Sequence, residues 1–472
     1  MSADNPIRER TGQQMLQKFG LISVCVFALV PGGCGSDKSE EETQAPAFQD
    51  LALVLKVPAG SELDSFVESD VLDWAGRSGA DVEIQEYEPG DEFQAGDVIV
   101  LALSDLPSMY DRFAAIPDGQ PGTEELQFSS LLRGVRDRIG SVGGRPAVMP
   151  LSCPTLVCAY RSDLLAAAGL KPPETWDDYH TLVRTLGDWA PGLSVAEPLG
   201  ADDRMLGVAA RTIAHSCPEG SVGVFFDLQT GNPLATNPGF ARAIGQLKEI
   251  APALGDSWAF RVEDCRRELL EGRAAIGLMY EPVFADSDTL SRAEKAELGF
   301  CPLPGARQVY DRLLEDWKDV ELNRPGLVGQ DGLIIGVVRG DRISNLAGLS
   351  LVAAVSDRVM KSVDTRVRGI VADWQVDTAP DLLQPLTHKE ARSYVAATVS
   401  SADMRSLIQT QPLPTSTRFT ASLAEVLTPD SLAKHTPEEL GAALSSKWSA
   451  VIAEVGKADF LKTYRWSNGL SP

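Results

Sequence analysis

The sequence predicts an α/β protein with more than one hydrophobic core. Three observations carry this. Strand-like apolar runs alternate with helical stripes along the chain, glycine and proline fall at capping positions between them, and the 472 residues exceed what one core ordinarily serves. Hydrophobic residues make up 44% and charged residues 23%, the composition of an ordinary folded chain. Lys and Arg number 43 against 66 Asp and Glu, a net charge of -23. That balance argues against nucleic acid as a partner, because the phosphate backbone is held by basic surface.

The first residues read as an address. Arg8, Arg10 and Lys18 precede an apolar run over 19–30, and Pro31, Gly32, Gly33 and Cys34 follow it. The run is shorter than the roughly 20 residues needed to span a bilayer, and its charged front, apolar middle and small-residue end are those of a secretory signal. Residues 1–33 are therefore expected to be removed, with Met15 as an alternative start. The small residues before Cys34 resemble a bacterial lipoprotein box, with Pro31 where that box usually has Leu. The resemblance implies a lipid on Cys34 that ties the protein to a membrane, in the periplasm or at the cell surface; an ordinary secretory signal is the alternative. The polar stretch after it reads as a disordered tether over 34–47.

The folded part opens with an apolar run at 51–57 closed by Pro58, Ala59 and Gly60, then a helical stripe of Phe66, Val67, Val71, Leu72 and Trp74. Alternation over 81–87 and the continuous run 98–103 read as strands. Asp163 is placed to cap a short helix through Leu164, Leu165 and Ala168, which Gly169 ends and Pro172 and Pro173 keep from continuing. Thr175 and Asp178 have capping-box spacing ahead of the stripe Tyr179, Leu182, Val183, Leu186 and Trp189. Asn237 caps a helix with Pro238 at its first position, and Phe240, Ala243, Ile244, Leu247 and Ile250 recur at helical spacing. A helix from Cys265 through Leu269 and Leu270 stops at Gly272, and 274–280 reads as a buried strand. A strand at 333–338, a helix through Leu346, Leu349, Val352 and Val355, and a mainly helical stretch from about Lys389 complete the chain.

Chemistry-bearing motifs are sparse. Cys153, Cys158, Cys217, Cys265 and Cys301 are odd in number and match no zinc spacing. Cys153 and Cys158, five apart, fall on opposite faces of a strand and make poor partners for each other. His180, His215, His388 and His435 are isolated, so no metal site and no cofactor is expected. Nucleophile-elbow, zincin and phosphate-loop patterns are absent.

Four segments fall in one order. The first is Tyr160-Arg161-Ser162-Asp163-Leu164-Leu165-Ala166-Ala167-Ala168-Gly169-Leu170-Lys171-Pro172-Pro173-Glu174-Thr175-Trp176-Asp177-Asp178-Tyr179. Phe226-Asp227 with Asn237-Pro238-Gly239-Phe240 is the second, Leu270-Glu271-Gly272-Arg273-Ala274-Ala275-Ile276-Gly277 the third, and Trp448 with Tyr464-Arg465-Trp466-Ser467-Asn468-Gly469-Leu470 the last. Together they resemble the family 1 extracellular solute-binding proteins, the group of maltose- and multiple-sugar-binding proteins. Val157-Cys158-Ala159 departs from it, since family members carry aromatic and Asn residues around that tyrosine. The resemblance implies a two-lobed periplasmic-binding-protein-like fold (type II) with crossing strands near 150–154 and 329–333 and C-terminal helices. Lobe one would be 48–152 and 332–380, and lobe two 153–331 and 381–472. It further implies that the chain is no enzyme. It would capture a small ligand, a carbohydrate, in the cleft and deliver it to an ABC transporter permease.

Clefts of α/β lobes lie at the carboxyl ends of strands, which selects the candidate ligand-binding residues. Tyr280 and Glu281 follow the strand 274–279. If Tyr280 stacks on the ligand, its truncation should weaken binding by about 1–3 kcal/mol and leave the empty protein's stability unchanged. Ser104 and Asp105 end the strand 98–103, with helix capping as the alternative role. Ser152 and Thr155 stand at the first crossing, and Gln330 and Asp331 at the second, between Gly329 and Gly332, where turn chemistry is the alternative. Trp317, in the polar stretch Glu315-Asp316-Trp317-Lys318-Asp319, is a candidate for stacking on a sugar ring. Two other function classes stay open on sequence alone: a glycosidase using two carboxylates, and a surface sensor or adhesion module on the same fold.

Overall fold

The computed structural model describes residues 48–117, 126–218, 221–281, 292–293, 296–329, 331–361, 371–372, 375, 377, 383, 385–404, 407–409 and 416–470. The leader, Cys34, the tether and Gln330 lie outside the described residues. The first strand-like run is β1 (Ala52–Pro58), followed by α1 (Leu63–Ser78), β2 (Asp81–Tyr87), β3 (Val98–Ala102) and α2 (Arg133–Arg138). The short strands β4 (Ser141–Val142), β5 (Arg145–Pro146) and β6 (Val148–Pro150) come next. Then come β7 (Val157–Arg161), α3 (Ser162–Ala167), α4 (Trp176–Arg184), α5 (Leu186–Trp189), β8 (Ser194–Ala196), α6 (Arg204–Ser216) and α7 (Pro238–Ile250). After α8 (Val262–Leu270) and β9 (Ala274–Met279) the chain forms β10 (Leu298–Pro302), the hairpin β11 (Ala306–Asp311) and β12 (Asp316–Asn323), β13 (Leu327–Val328) and β14 (Leu333–Val337). It closes with α9 (Arg342–Lys361), α10 (His388–Ala402), β15 (Ile408–Gln409), α11 (Ser416–Val426), α12 (Pro429–Lys434), α13 (Pro437–Val455) and α14 (Lys457–Ser467).

Two main sheets result. In the order β2-β1-β3-β14-β6, β1 is parallel to β2 and β3, while β14 enters antiparallel between β3 and β6. In the order β10-β7-β9-β8, β8 and β9 are parallel and β7 is antiparallel to both neighbours. The chain passes from one sheet to the other through 151–156 and returns through 327–329 and 331–332. These two segments run side by side, with Leu156 N–H donating to Leu327 O at 2.8 Å and Gly329 N–H to Pro154 O at 2.8 Å, and Leu103, just past β3, donates its N–H to Gly332 O at 2.6 Å.

Strand alternation divides the second sheet between two cores. Leu156, Cys158, Ile276 and Leu278 face Trp176, Phe240 and Trp448 from the helices on one side. Val157, Ala159 and Met279 face the other way and join a core continuous with the first sheet through Tyr394 and Val395 of α10. Phe300 of β10 meets Tyr394 edge-on at 5.4 Å between ring centroids.

Local capping follows the sequence at α4, where Asp178 N–H donates to Thr175 Oγ1 and Thr175 N–H to the Asp178 carboxylate, and at α7, where Asn237 Oδ1 accepts Gly239 N–H at 2.7 Å. Two expectations are corrected. Asp163 does not cap α3: β7 runs straight into the helix, Arg161 occupies the cap position, and the Asp163 carboxylate instead accepts from Arg161 Nε and Nη2 at 2.8 and 2.6 Å. Leu72 is exposed, because it sits one residue, about 100° of helix, past the buried Val71. Gly169 ends the α3 turn at φ 68, a conformation glycine adopts without strain. The described cysteines are free, and among the described residues no helix is long and apolar enough to cross a membrane.

Candidate functional site

β9 is buried along its whole length, and Tyr280, the next residue, remains only 3% exposed. Its ring lies against the returning crossing so closely that a Cβ on Gly329 would stand 2.5 Å from Tyr280 Cε1; only glycine permits that approach. The Tyr280 hydroxyl donates to Asp331 Oδ1 at 2.6 Å. Around this pair four pieces of chain close a cavity of about 320 Å³. They are the turn 201–203 beyond β8, the start of α8 with Arg261, Val262 and Glu263, the Tyr280–Asp331 contact, and Thr417, Thr420 and Ala421 of α11. The cavity thus opens at the carboxyl ends of the parallel strands β8 and β9, where loops and helix starts offer polar groups.

Acidic side chains set its electrostatics. Asp203 Oδ2 accepts Val262 N–H at 2.9 Å, tying the turn to the first turn of α8, and burial raises its carboxyl above the ordinary value. Glu263 Oε2 is buried and accepts no hydrogen bond among the described residues, with Arg261 Nε at 3.8 Å as its ion-pair partner. Burial, reinforced by the charges of Glu263 and Asp203 and opposed by the Tyr280 hydrogen bond, pushes Asp331 up to about 6. Such a site offers carboxylate acceptors to a ligand rich in hydroxyl donors.

The shift at Asp331 has a signed consequence. A carboxyl whose native value lies above its unfolded one binds a proton more tightly when folded, so that contribution to stability is present below about pH 4 and is lost as the pH rises through 6. At pH 8 the buried charge costs roughly 3 kcal/mol, taking about 1.4 kcal/mol per tenfold change in proton affinity. Asp331→Asn keeps an oxygen for the Tyr280 hydroxyl and should raise the melting temperature of the empty protein at pH 8, with the gain shrinking as the pH falls toward 4. A gain independent of pH, or none, would show that the carboxylate is not the source.

Of the residues picked from sequence, the structure brings Tyr280 and Asp331 together in this cavity. Glu281 turns away from it: the side chain is buried and accepts from Arg266 Nε at 2.9 Å, and its N–H donates to Tyr394 Oη at 2.9 Å. Ser152 and Thr155 are fully buried in the crossing itself, where Ser152 Oγ accepts Leu333 N–H at 2.9 Å and Thr155 Oγ1 donates to Cys153 O at 3.1 Å. Ser104 and Asp105 follow β3 on the other flank of the crossing, and Asp105 stands at the N-cap of a 3₁₀ turn without a side-chain capping bond. Trp317 is placed elsewhere. It lies half-buried on the β11–β12 hairpin, edge-on to Tyr310 at 5.7 Å and His215 at 6.4 Å and under the Arg242 guanidinium at 5.2 Å. Its polar neighbours in sequence concealed the α6 and α7 surfaces on which the hairpin rests. Among the described residues no group of three His, Cys, Asp or Glu could hold a metal ion.

Asp203, Arg261 and Glu263 escaped the sequence reading. The acidic pair Glu263-Asp264 ahead of the Cys265 helix was the available signal, since carboxylates collect at helix starts. Nothing local, however, points that start at Tyr280.

No family model matches the chain. By sequence it is similar to the melibiose/raffinose/stachyose-binding protein MelE of Bacillus subtilis (strain 168), 23% identical over 178 residues, which span 36% of this chain and 40% of that relative's length. By structure it is similar to the cyclic alpha-maltosyl-1,6-maltose binding protein of Arthrobacter globiformis, with a TM-score of 0.62, 13% identity, and coverage of 86% of this chain and all of that one. The sugar-binding protein MalE of Xanthomonas citri aligns with a TM-score of 0.59 at 13% identity, over 86% of this chain and 99% of that one. The chain therefore has the MalE-like, periplasmic-binding-protein fold that its motifs resemble.

Proposed function

We propose that the protein is an extracytoplasmic solute-binding protein that captures a small polyhydroxylated ligand, a saccharide, and delivers it to the permease of an ABC transporter. The observation that carries this reading is the polar cavity at the ends of β8 and β9, built against the crossing segment that bears Asp331. The lobes would be 48–152 with 332–380 and 153–331 with 381–472, and the ligand would bridge them by adding contacts from the Ser104–Asp105 flank. Closure then follows from the ligand's greater affinity for the closed state, as in the hinge-closing binding proteins. Removal of 1–33 and a lipid on Cys34 would hold the body at the periplasmic or outer face of a membrane. Glu263 and Asp331 as hydroxyl acceptors, and Arg261 as a donor, suit a neutral sugar, and the excess of carboxylates disfavours an anionic one.

A panel of α-galactosides, maltooligosaccharides and polyols, followed by thermal unfolding and calorimetry, tests the proposal. A true ligand at 100 times its Kd should stabilise the fold by about 2.7 kcal/mol, and Glu263→Gln should weaken that ligand by about 1–3 kcal/mol with little effect on the empty protein. Release of sugar from a glycoside would point instead to catalysis, and absence of any heat or stabilisation across the panel would sink the transport reading.

A further inference from the structure

β10 is the outer strand of its sheet, and in its antiparallel register with β7 Cys301 stands directly opposite Cys158. Both thiols fall on the face that carries Trp176 and Tyr179, Cys158 fully buried and Cys301 partly so. The other described cysteines stand apart. Cys153 lies beside Thr155 Oγ1 at 3.9 Å, Cys217 donates to Ser221 O at 3.3 Å, and Cys265 belongs to the opposite core.

Neighbouring hydrogen bonds fix the phase of the pair. Ser162 N–H donates to Glu297 O at 2.9 Å, whereas the N–H groups of Leu298 and Phe300 point away from β7, to Glu390 Oε1 at 2.7 Å and Ser393 Oγ at 3.0 Å. By alternation Cys158 and Cys301 form a hydrogen-bonded pair, with Cα atoms about 5.5 Å apart. A disulfide accepts Cα separations of roughly 4.4–6.8 Å but needs Cβ atoms about 3.5–4.5 Å apart. Directly opposed strand residues hold them at about 4.5–5.5 Å. As a hydrogen-bonded pair they stand at the wide end of that range, so closing the bond takes a pinch of about 1–2 Å against the hydrogen bonds that tie the outer edge of β10 to α10, and the bond it makes is strained.

We infer that Cys158 and Cys301 are a disulfide-forming pair that closes under a disulfide oxidant into an easily reduced cross-link between β7 and β10. Cys301, the partly exposed residue of the two, reacts first. Its thiolate attacks one sulfur of the oxidant, forming a mixed disulfide and releasing one thiolate. Cys158 then loses its proton to solvent and attacks the Cys301 sulfur, releasing the oxidant's second thiolate. Two electrons and two protons leave the pair, and the oxidant ends as two thiols. Burial, with the neighbouring Cys301 adding to it, holds the Cys158 thiol well above its ordinary range, so the second attack is the slow step and the mixed disulfide accumulates first.

The test is peptide mapping of the full chain after incubation with oxidised glutathione and alkylation under denaturing, non-reducing conditions. The expected product is a peptide pair joined through Cys158 and Cys301, lighter by two hydrogen atoms than its reduced parts, and reopened by a mild thiol. Cys158→Ser should stop the reaction at glutathione on Cys301, and Cys301→Ser, a change at a partly exposed edge position, should leave Cys158 free. Full alkylation of both residues in the oxidised wild type, a glutathione adduct on Cys301 that never resolves, or linkage of either to another cysteine would overturn the inference.

Discussion

Arg211→Met is expected to destabilise the protein by about 3–5 kcal/mol, seen as a large fall in the denaturant midpoint at neutral pH, because it strands a charge in the core. Arg211 and Glu197 are both fully buried and meet in a two-pronged pair, Nη2 to Oε1 at 2.8 Å and Nη1 to Oε2 at 2.9 Å. The guanidinium also donates to Gly207 O at 3.0 Å and to His180 Nε2 at 3.3 Å and lies 4.4 Å over the Trp176 ring. His180 can accept that bond because burial, with the Arg211 charge adding to it, pushes it down to about 2 and keeps it neutral. Methionine matches the stem of arginine in volume but leaves the Glu197 carboxylate without its cation. Replacing Glu197 by Leu as well should recover much of the loss, since an apolar pair of similar volume removes the uncompensated charge. Equal losses in the single and double variants would show that packing on Trp176, and not the charge, carries the effect. The consequence reaches the cavity. Glu197 follows β8 directly, its N–H donates to Ser257 Oγ, and the turn 201–203 begins four residues on, held by Arg204 donating to Leu199 O at 2.8 Å and Ala424 O at 2.6 Å. Weakened ligand binding in Arg211→Met is therefore expected even though Arg211 touches no part of the cavity.

How much of this was legible follows from how far each signal reaches along the chain. The strand 274–279, the Thr175–Asp178 box and the Asn237-Pro238 start depend on neighbours within four residues, and the structure keeps them. Tyr280 and Asp331 could be chosen because the carboxyl end of a strand and a glycine-flanked crossing are local features with known places in an α/β fold. Asp203, Glu263 and Thr420 could not, because they meet only when α8, packed on β8 and β9, converges with α11, packed on α6 and α13, contacts between segments far apart in sequence. Trp317 failed for the same reason in reverse: its sequence neighbours are charged, while the groups that half-bury it, His215 and Arg242, lie on helices more than 70 residues away. Cys158 and Cys301 were unpaired in the sequence reading because only the register of β7 with β10 makes them neighbours.

Tyr280→Ala gives the second large effect, and it reverses the expectation that truncation would spare the empty protein. A ring 3% exposed and packed against Gly329 leaves a cavity when removed, a change that costs about 3–5 kcal/mol for a large aromatic side chain. The variant also strips Asp331 of its hydroxyl donor, so the deficit should be larger at pH 8, where that carboxyl is charged, than at pH 4. Loss of ligand binding in this variant would say little about contact, since the crossing that carries Asp331 would relax with the fold. Tyr280→Phe separates the two. It keeps the ring and its contact with Gly329 and removes only the bond to Asp331, for about 1.5–3 kcal/mol when the acceptor is charged. Because the Tyr280 hydrogen bond opposes the rise at Asp331, that carboxyl should move above 6 in the phenylalanine variant, and its stability deficit should widen as the pH rises through that range. Binding by Tyr280→Phe that stays native at pH 8 would assign the tyrosine to holding the crossing in place. Binding that falls while the fold persists would put its hydroxyl, or the Asp331 oxygen it orients, against the ligand.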